Sequence, residues 1–439
     1  MNPCTLQHRV SFHTLGCKLN FAESSTFARM LTDKGWVRAQ AGEEPDLCLV
    51  NTCSVTEAAD KKGRQLIRML HRRHPGARIV VTGCYAQLKP AEVAELPGVS
   101  LVLGQAQKAE MISFIEKMMA GEKQGAVQVD DFKSIRTFVP ACGRGERTRF
   151  WLKVQDGCDY WCSYCTIPMA RGRSRSATVA DCVSQARQAA AAGAREIVLT
   201  GVNVGEFGRE RGETFLDLIK ALDEVEGVER YRISSIEPNL LTPSIMEYVA
   251  SSRAFMPHFH VPLQSGSDAV LRLMRRRYDT AFFAACMESI RSLMPHAFIG
   301  VDIIAGARGE TLQEWEKSLA FATSLPVQQL HVFPYSERPG TRALGLEGAV
   351  SNEEKHRRVS RLIEVSEKKY DSFMRAASGT VRPVLWEQPH DDSSVMHGFT
   401  DNYLRVEAPF RASLINTVTP VRLGQPVDAG CLSGKILLP

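Results

Sequence analysis

Three cysteines lie close together in DGCDYWCSYCTIP: Cys158, Cys162 and Cys165, spaced C-x3-C-x2-C. Three thiolates on one tight loop can each take a different iron of a [4Fe–4S] cube, because thiolate is the ligand such clusters use. The fourth iron is then left without a protein ligand. Structural zinc is the competing reading, but zinc sites pair two C-x2-C units or complete the set with histidine. No fourth cysteine or histidine lies near this triplet.

A second set is dispersed. Cys17 in HTLGCKLN, Cys53 in VNTCSV and Cys84 in VTGCYAQ each follow an apolar, β-rich run. Successive parallel strands end at one edge of a sheet, so the three loops are expected to converge there and offer a second cluster site. Gly16, Asn51 and Gly83 beside them are read as allowing tight turns. Cys48, inside DLCLV, is read as core, and Cys4, Cys142, Cys182, Cys286 and Cys431 as packing or surface residues.

The elements that must position these residues repeat. RVSFHTLG, DLCLVNTC, ARIVVTGC and VSLVLG alternate with amphipathic helical patterns over 9–120, which predicts a doubly wound parallel sheet. Residues 121–149 carry mixed charge, glycines and no clear period, and read as a linker. Over 150–375 six strand candidates (WLKVQDG, EIVLTG, ERYRISS, HFHVPL, FIGVDII, QQLHVF) alternate with helix starts at Thr178, Thr242, Ser267, Thr280 and Thr311, and a basic helix trails them. Six βα units imply an α/β fold with a partial (βα)6 barrel and its chemistry at the C-terminal strand ends. Residues 380–439 hold short β-like runs broken by Gly, Pro and Asp, which fit a small antiparallel barrel.

With 44% apolar and 23% charged residues, the 439-residue chain is globular and long enough for several domains. Its net charge of +5 permits a nucleic-acid partner without demanding one. Neither end shows a signal peptide or a membrane-length apolar run, so no membrane is expected and a cytoplasmic location is. In that reducing setting twelve cysteines point to metal or catalytic thiolates before disulfides.

With both triplets in place, the chain from about residue 9 onward resembles the methylthiotransferases of the radical S-adenosylmethionine superfamily. Tyr164 before Cys165 and the C-x3-C-x2-C spacing carry the resemblance in the core. TLGCKLN and VNTCSVT look most like the branch acting on threonylcarbamoyladenosine beside the anticodon of tRNA. The branches for isopentenyladenosine and for an aspartate of a ribosomal protein are the alternatives, with a non-catalytic iron–sulfur carrier behind them.

The resemblance implies two [4Fe–4S] clusters. At the first, S-adenosylmethionine is bound and cleaved to a 5′-deoxyadenosyl radical; the second carries sulfur. It also implies tRNA and an electron donor as partners, and a C-terminal TRAM barrel that holds substrate. Loops after the barrel strands then place Asn203, Glu237, Gln264, Ser265 and Arg276 as S-adenosylmethionine contacts, Arg276 as a fork for its carboxylate. Arg171, Arg173 and Arg175, the helix from Lys355 to Arg375, and Phe399, Tyr403 and Arg405 are candidate RNA contacts, with solvated faces and ordinary strand pairing as alternatives. One departure is visible: members often carry G-F-P-G-E-T where this chain has GARGET, with Ala307 and Arg308. It is expected to alter loop packing without touching either triplet.

Overall fold

The computed structural model describes residues 7–144, 148–389, 394–428 and 430–437; Cys4 lies outside them. The first domain runs β1 (Arg9–Thr14), α1 (Lys18–Asp33), β2 (Val37–Arg38), β3 (Leu47–Thr52), α2 (Glu57–Arg73), β4 (Arg78–Gly83), α3 (Cys84–Leu88), α4 (Pro90–Ala94), β5 (Val99–Leu103), α5 (Met111–Met119) and β6 (Val127–Gln128). All strands are parallel, in the order β2-β1-β3-β4-β5-β6.

Every residue of β3, LCLVNT, is buried, as a strand covered on both faces requires. Phe27 and Leu31 of α1 and Met111 and Ile115 of α5 cover one face; Ile67 and Leu70 of α2 cover the other, where Cys48 is fully buried. The edge strands β2 and β6 went unread in the sequence because two residues are too few to leave a period. Segment 121–149 thus contributes β6 to this sheet, and it contributes β7 (Ala141–Arg144) to the next.

That next unit holds β8 (Phe150–Lys153), β9 (Gln155–Asp156), α6 (Ile167–Arg171), β10 (Arg175–Ser176), α7 (Val179–Ala191), β11 (Glu196–Thr200), α8 (Phe215–Asp223), β12 (Arg230–Ile233), α9 (Pro243–Ser251), β13 (His258–His260), α10 (Asp268–Leu273), α11 (Thr280–Leu293), β14 (Phe298–Ala305), α12 (Leu312–Ser324) and β15 (Gln329–Pro334). Parallel sets β8-β11-β12 and β13-β14-β15 are joined by bridges Tyr231–Phe255 and Ser235–His260. β7 pairs antiparallel on the outer side of β8, so the barrel is partial. Its core is one apolar cluster that includes Leu152, Ile197, Leu199, Phe259, Ile299 and Val301.

Thr178, Thr242, Ser267 and Thr311 cap their helices through their hydroxyls. Thr280 does not: α11 is capped by the Asp279 carboxylate, which accepts from Phe282 N, and Thr280 is its first turn. Asp competes well for this position. Cys182 and Cys286 are buried in packing positions and Cys142 is partly buried.

After the long helix α13 (Asn352–Ala377), strands β16 (Val381–Trp386), β17 (Val395–Thr400), β18 (Arg405–Pro409), β19 (Val418–Asp428) and β20 (Cys431–Ile436) close a barrel in the order β16-β17-β18-β20-β19. Its pairings are antiparallel except β18 with β20, which run parallel because the β19-β20 hairpin returns beside β18.

Phe399 and Tyr403 are not free to grip RNA, because they dock this barrel on the core. The Tyr403 ring lies 4.4 Å from His258 and 5.0 Å from Phe399, with the Arg232 guanidinium 4.9 Å over it, and its hydroxyl accepts from Arg149 at 3.2 Å. Arg230 and Arg232 donate to the carbonyls of Phe399, Pro383, Thr400 and Asp401 at 2.8–2.9 Å. Arg405 is exposed. Tyr403→Ala removes the centre of this contact and is expected to cost about 3 kcal/mol. In calorimetry the barrel should then melt in a separate, earlier transition; an unchanged thermogram would count against the docking role.

Candidate active site

β1, β3 and β4 are neighbours in the sheet, and Cys17, Cys53 and Cys84 follow their C-terminal ends. This is the switch point of the strand order, with β2 on one side of β1 and β3 on the other. Gly16 has φ +104, and a Cβ there would sit 3.0 Å from Cys53 Sγ. Gly83 has φ +98, and a Cβ there would collide with Thr52 O. These two positions need glycine for approach as well as for conformation.

Asn51 is not a turn residue. It lies in β3 and donates to Asn20 O at 3.0 Å. Asn20, three residues after Cys17, in turn donates to Leu15 O at 2.8 Å and Thr52 O at 3.1 Å, clamping two of the cysteine loops together. Gly83→Ala is therefore expected to strip the second site of its iron, about half the total, while the first site stays loaded. Iron and sulfide assay of the reconstituted variant checks this; full loading would refute the close-approach argument.

Cys158, Cys162 and Cys165 lie on the loop between β9 and α6, and Gly157 opens it at φ +70, where a Cβ would collide with Arg173 O. Each sulfur accepts one hydrogen bond: Cys158 Sγ from Tyr160 N at 3.5 Å, Cys165 Sγ from Ile167 N at 3.4 Å, and Cys162 Sγ from Arg276 Nη1 at 3.0 Å. Such donors favour thiolate and tune a cluster. Burial pushes the Cys165 and Cys53 thiols up to about 12, and those of Cys158, Cys162 and Cys84 upward as well. Such thiols become thiolates only when a cation replaces their protons, so cluster loading releases protons.

Among the described residues one trio of His, Cys, Asp or Glu has its ligand atoms all within 4.8 Å of one another: His397, Glu407 and Cys431, on the small barrel.

The candidate S-adenosylmethionine residues come together in part. Arg276 and Glu237 form an ion pair next to Cys162, with Arg276 also donating to Tyr278 Oη at 3.0 Å. Asn203 is buried; its Oδ1 faces Glu237 N at 3.4 Å and its Nδ2 has no partner among the described residues. Gln264 adopts φ +67 and lines a cavity of about 220 Å3. Ser265 does not face that cavity: it is fully buried and its hydroxyl accepts from Ser267 N at 3.2 Å.

The cavity is walled by Tyr164 of the first cysteine loop, by Val55 and Thr56 just after Cys53, and by Gln264, Phe333 and Tyr335. Phe333 and Tyr335 at the end of β15, and the 2.7 Å pair of Asp302 within β14 with His260 at the end of β13, were not read from the sequence. Ala307 is buried in a small cluster with Val270 and Met274, against which Tyr164 and Ile304 pack.

The basic residues divide between buried ion pairs and an exposed, paired helix face. Arg171 and Arg175 are buried in ion pairs and only Arg173 is exposed. On α13, Arg357, Arg361 and Arg375 each pair with a carboxylate of the same helix, and Arg358 is buried against Glu310.

Comparison with known proteins agrees with this architecture. The profile of the uncharacterized protein family UPF0004 matches residues 9–104, and that of the Radical SAM superfamily matches 152–322. The threonylcarbamoyladenosine tRNA methylthiotransferase MtaB of Bacillus subtilis is 36% identical over 433 residues, covering 96% of this chain and 95% of the relative. The Thermotoga maritima protein of that name is 33% identical, covering 97% and 96%. Among solved structures, the radical S-adenosylmethionine methyltransferase TsrM from Kitasatospora setae, with cobalamin and a [4Fe–4S] cluster bound, shares the fold at TM-score 0.58 and 15% identity, over 77% of each chain. On the full-length identity to the curated relatives, the chain belongs to the radical S-adenosylmethionine methylthiotransferase family.

Proposed function

We propose that this protein adds a methylthio group to carbon 2 of N(6)-threonylcarbamoyladenosine next to the anticodon of tRNA. The observation that carries the reading is the cavity of about 220 Å3 whose walls come from both cysteine-bearing loops, Tyr164 on one side and Val55 and Thr56 on the other. A base held there lies between the two sites that must act on it in turn.

The residues fit the groups this chemistry needs. Cys158, Cys162 and Cys165 would hold one [4Fe–4S] cluster, and Cys17, Cys53 and Cys84 the other. The unpartnered Asn203 Nδ2, beside Glu237 and its ion-pair partner Arg276, suits the polar end of S-adenosylmethionine. When bound, the first cluster supplies the electron for reductive cleavage of S-adenosylmethionine and the second supplies the sulfur.

The chain's own residues bind and orient. Arg276 offers its guanidinium to the Cys162 sulfur and to an incoming carboxylate, while Glu237 keeps it in place. Tyr164, Phe333 and Tyr335 give the cavity apolar walls against which a base can stack and from which water is displaced. Arg338, from the loop after β15, binds Ser54 Oγ at 2.7 Å and Asp60 at 2.8 Å, holding the Cys53 loop against the barrel mouth.

An external donor must supply the electron. Among the described residues no helix is long and apolar enough to cross a membrane, and a tRNA substrate suits a cytoplasmic location. Mass spectrometry of tRNA nucleosides from a deletion strain tests the reading: the methylthio form of threonylcarbamoyladenosine should vanish and return on complementation. Loss of methylthio-isopentenyladenosine instead, or no change, would overturn it.

A further inference from the structure

Behind the cysteines of the first domain lies a sealed group of charges drawn from both domains. Glu23 of α1 accepts from Lys108 at 2.5 Å and from Lys153 of β8 at 2.8 Å. Asp156 of β9 accepts from Lys153 at 2.7 Å and Arg175 at 3.0 Å. Arg171, the last residue of α6, bridges them, 3.2 Å from Glu23 and 2.9 Å from Asp156. None of the six side chains is more than 6% exposed.

Four cations (Lys108, Lys153, Arg171, Arg175) face two carboxylates (Glu23, Asp156), which leaves two positive charges in excess. Buried charge without a counterion is costly, so an excess of this kind calls for an anion beside it. The thiols of Cys17, Cys53 and Cys84 supply that anion once a cluster replaces their protons. Arg171 Nη2 donates to Asn20 Oδ1 at 2.6 Å, and Asn20 is the residue that ties the Cys17 and Cys53 loops together. Burial pushes the Cys53 and Cys84 thiols up, and the charge of Arg171 pulls both back.

The first triplet has different surroundings. Cys158 stands near Glu206, whose charge adds to burial in pushing the thiol up, and the guanidinium beside Cys162 is neutralised by Glu237.

A cube on three thiolates is an anion in both redox states and the more negative when reduced, so fixed positive charge beside it favours the reduced form. We propose that Arg171, backed by Lys108 and Lys153, is a positioning residue for the cluster at Cys17, Cys53 and Cys84: it locks those loops against the core and raises that cluster's reduction potential. Two cubes with the same ligand set are thereby held at different potentials by the charges around them. The inference rests on the two-cluster reading of the function. Because α6 also begins one residue after the Cys165–Thr166 pair, one short helix connects the first cysteine loop to the wall of the second site.

The test uses the full-length chain with Cys158, Cys162 and Cys165 replaced by alanine, reconstituted anaerobically and titrated with dithionite under electron paramagnetic resonance. Adding Arg171→Gln should make reduction at least tenfold less favourable, about 59 mV for one electron, with iron content retained. Arg171→Lys should recover most of that shift. Lys108→Met, which leaves Glu23 paired with Lys153 and Arg171, should move the potential the same way and covers the case in which Arg171→Gln fails to fold. A loaded cluster whose potential ignores all three substitutions overturns this proposal alone. A cysteine-replaced parent that binds no cluster would instead overturn the two-cluster reading.

Discussion

Alanine at Cys158, Cys162 and Cys165 together should abolish formation of 5′-deoxyadenosine from S-adenosylmethionine and lower the iron of the reconstituted protein from about eight to about four per chain. The three thiols share one loop and each sulfur already has its own hydrogen-bond donor, so they form a single site that the triple substitution removes whole. With the site gone, nothing holds an iron open to the cofactor beside Arg276 and Asn203, and the sulfonium can be neither positioned nor reduced. Product yield must fall to background with cleavage, because transfer to the base depends on it. Iron and sulfide analysis and chromatography of 5′-deoxyadenosine read the two effects separately. Undiminished iron, or zinc in its place, would sink the assignment of this loop.

How much of this was legible in the sequence depends on how local each signal is. The C-x3-C-x2-C loop needs only its own spacing. Cys17, Cys53 and Cys84 are about thirty residues apart, yet their place after apolar runs was readable, because parallel strands bring their C-terminal ends to one edge. The six barrel strands were readable as β-rich runs spaced by helix-start residues, most of them buried, as β11 and β12 are throughout, although β15 is buried only in part.

What failed were side-chain directions. Arg171 and Arg175 sit in ARGRSRS, which in one dimension looks like a basic strip for phosphates; α6 and the β9-β10 pairing turn both inward onto Glu23 and Asp156, and a partner 148 positions away leaves no local trace. Tyr403 reads in one dimension as a candidate RNA contact, but its φ is +68 and its ring lies against Arg232 and His258 of the core. Ser265 was misplaced by one residue of geometry. Gln264 takes the left-handed conformation, which aims Gln264 at the cavity and Ser265 into the cap of α10.

The same separation of local and distant signals sets the second large effect. Cys17→Ala, Cys53→Ala and Cys84→Ala together should leave reductive cleavage of S-adenosylmethionine largely intact and eliminate the methylthiolated nucleoside. The two sites share a cavity but not their ligands: Val55 and Thr56 reach it from the second site, whereas Asn203, Glu237 and Arg276 stand on barrel loops that the three substitutions do not touch. Burial pushes the Cys53 and Cys84 thiols up, so removing them leaves no unpaired charge at those two positions, and the loops should persist, held by Asn20 and Asn51. Iron should again fall from about eight to about four, this time with 5′-deoxyadenosine still formed. The ratio of that product to methylthiolated nucleoside, near parity of order for the intact enzyme, should rise without limit in the variant. If the variant methylthiolates tRNA at the full rate, these thiols only pack the sheet edge, and the sulfur must reach the base by a route that does not pass through the first domain.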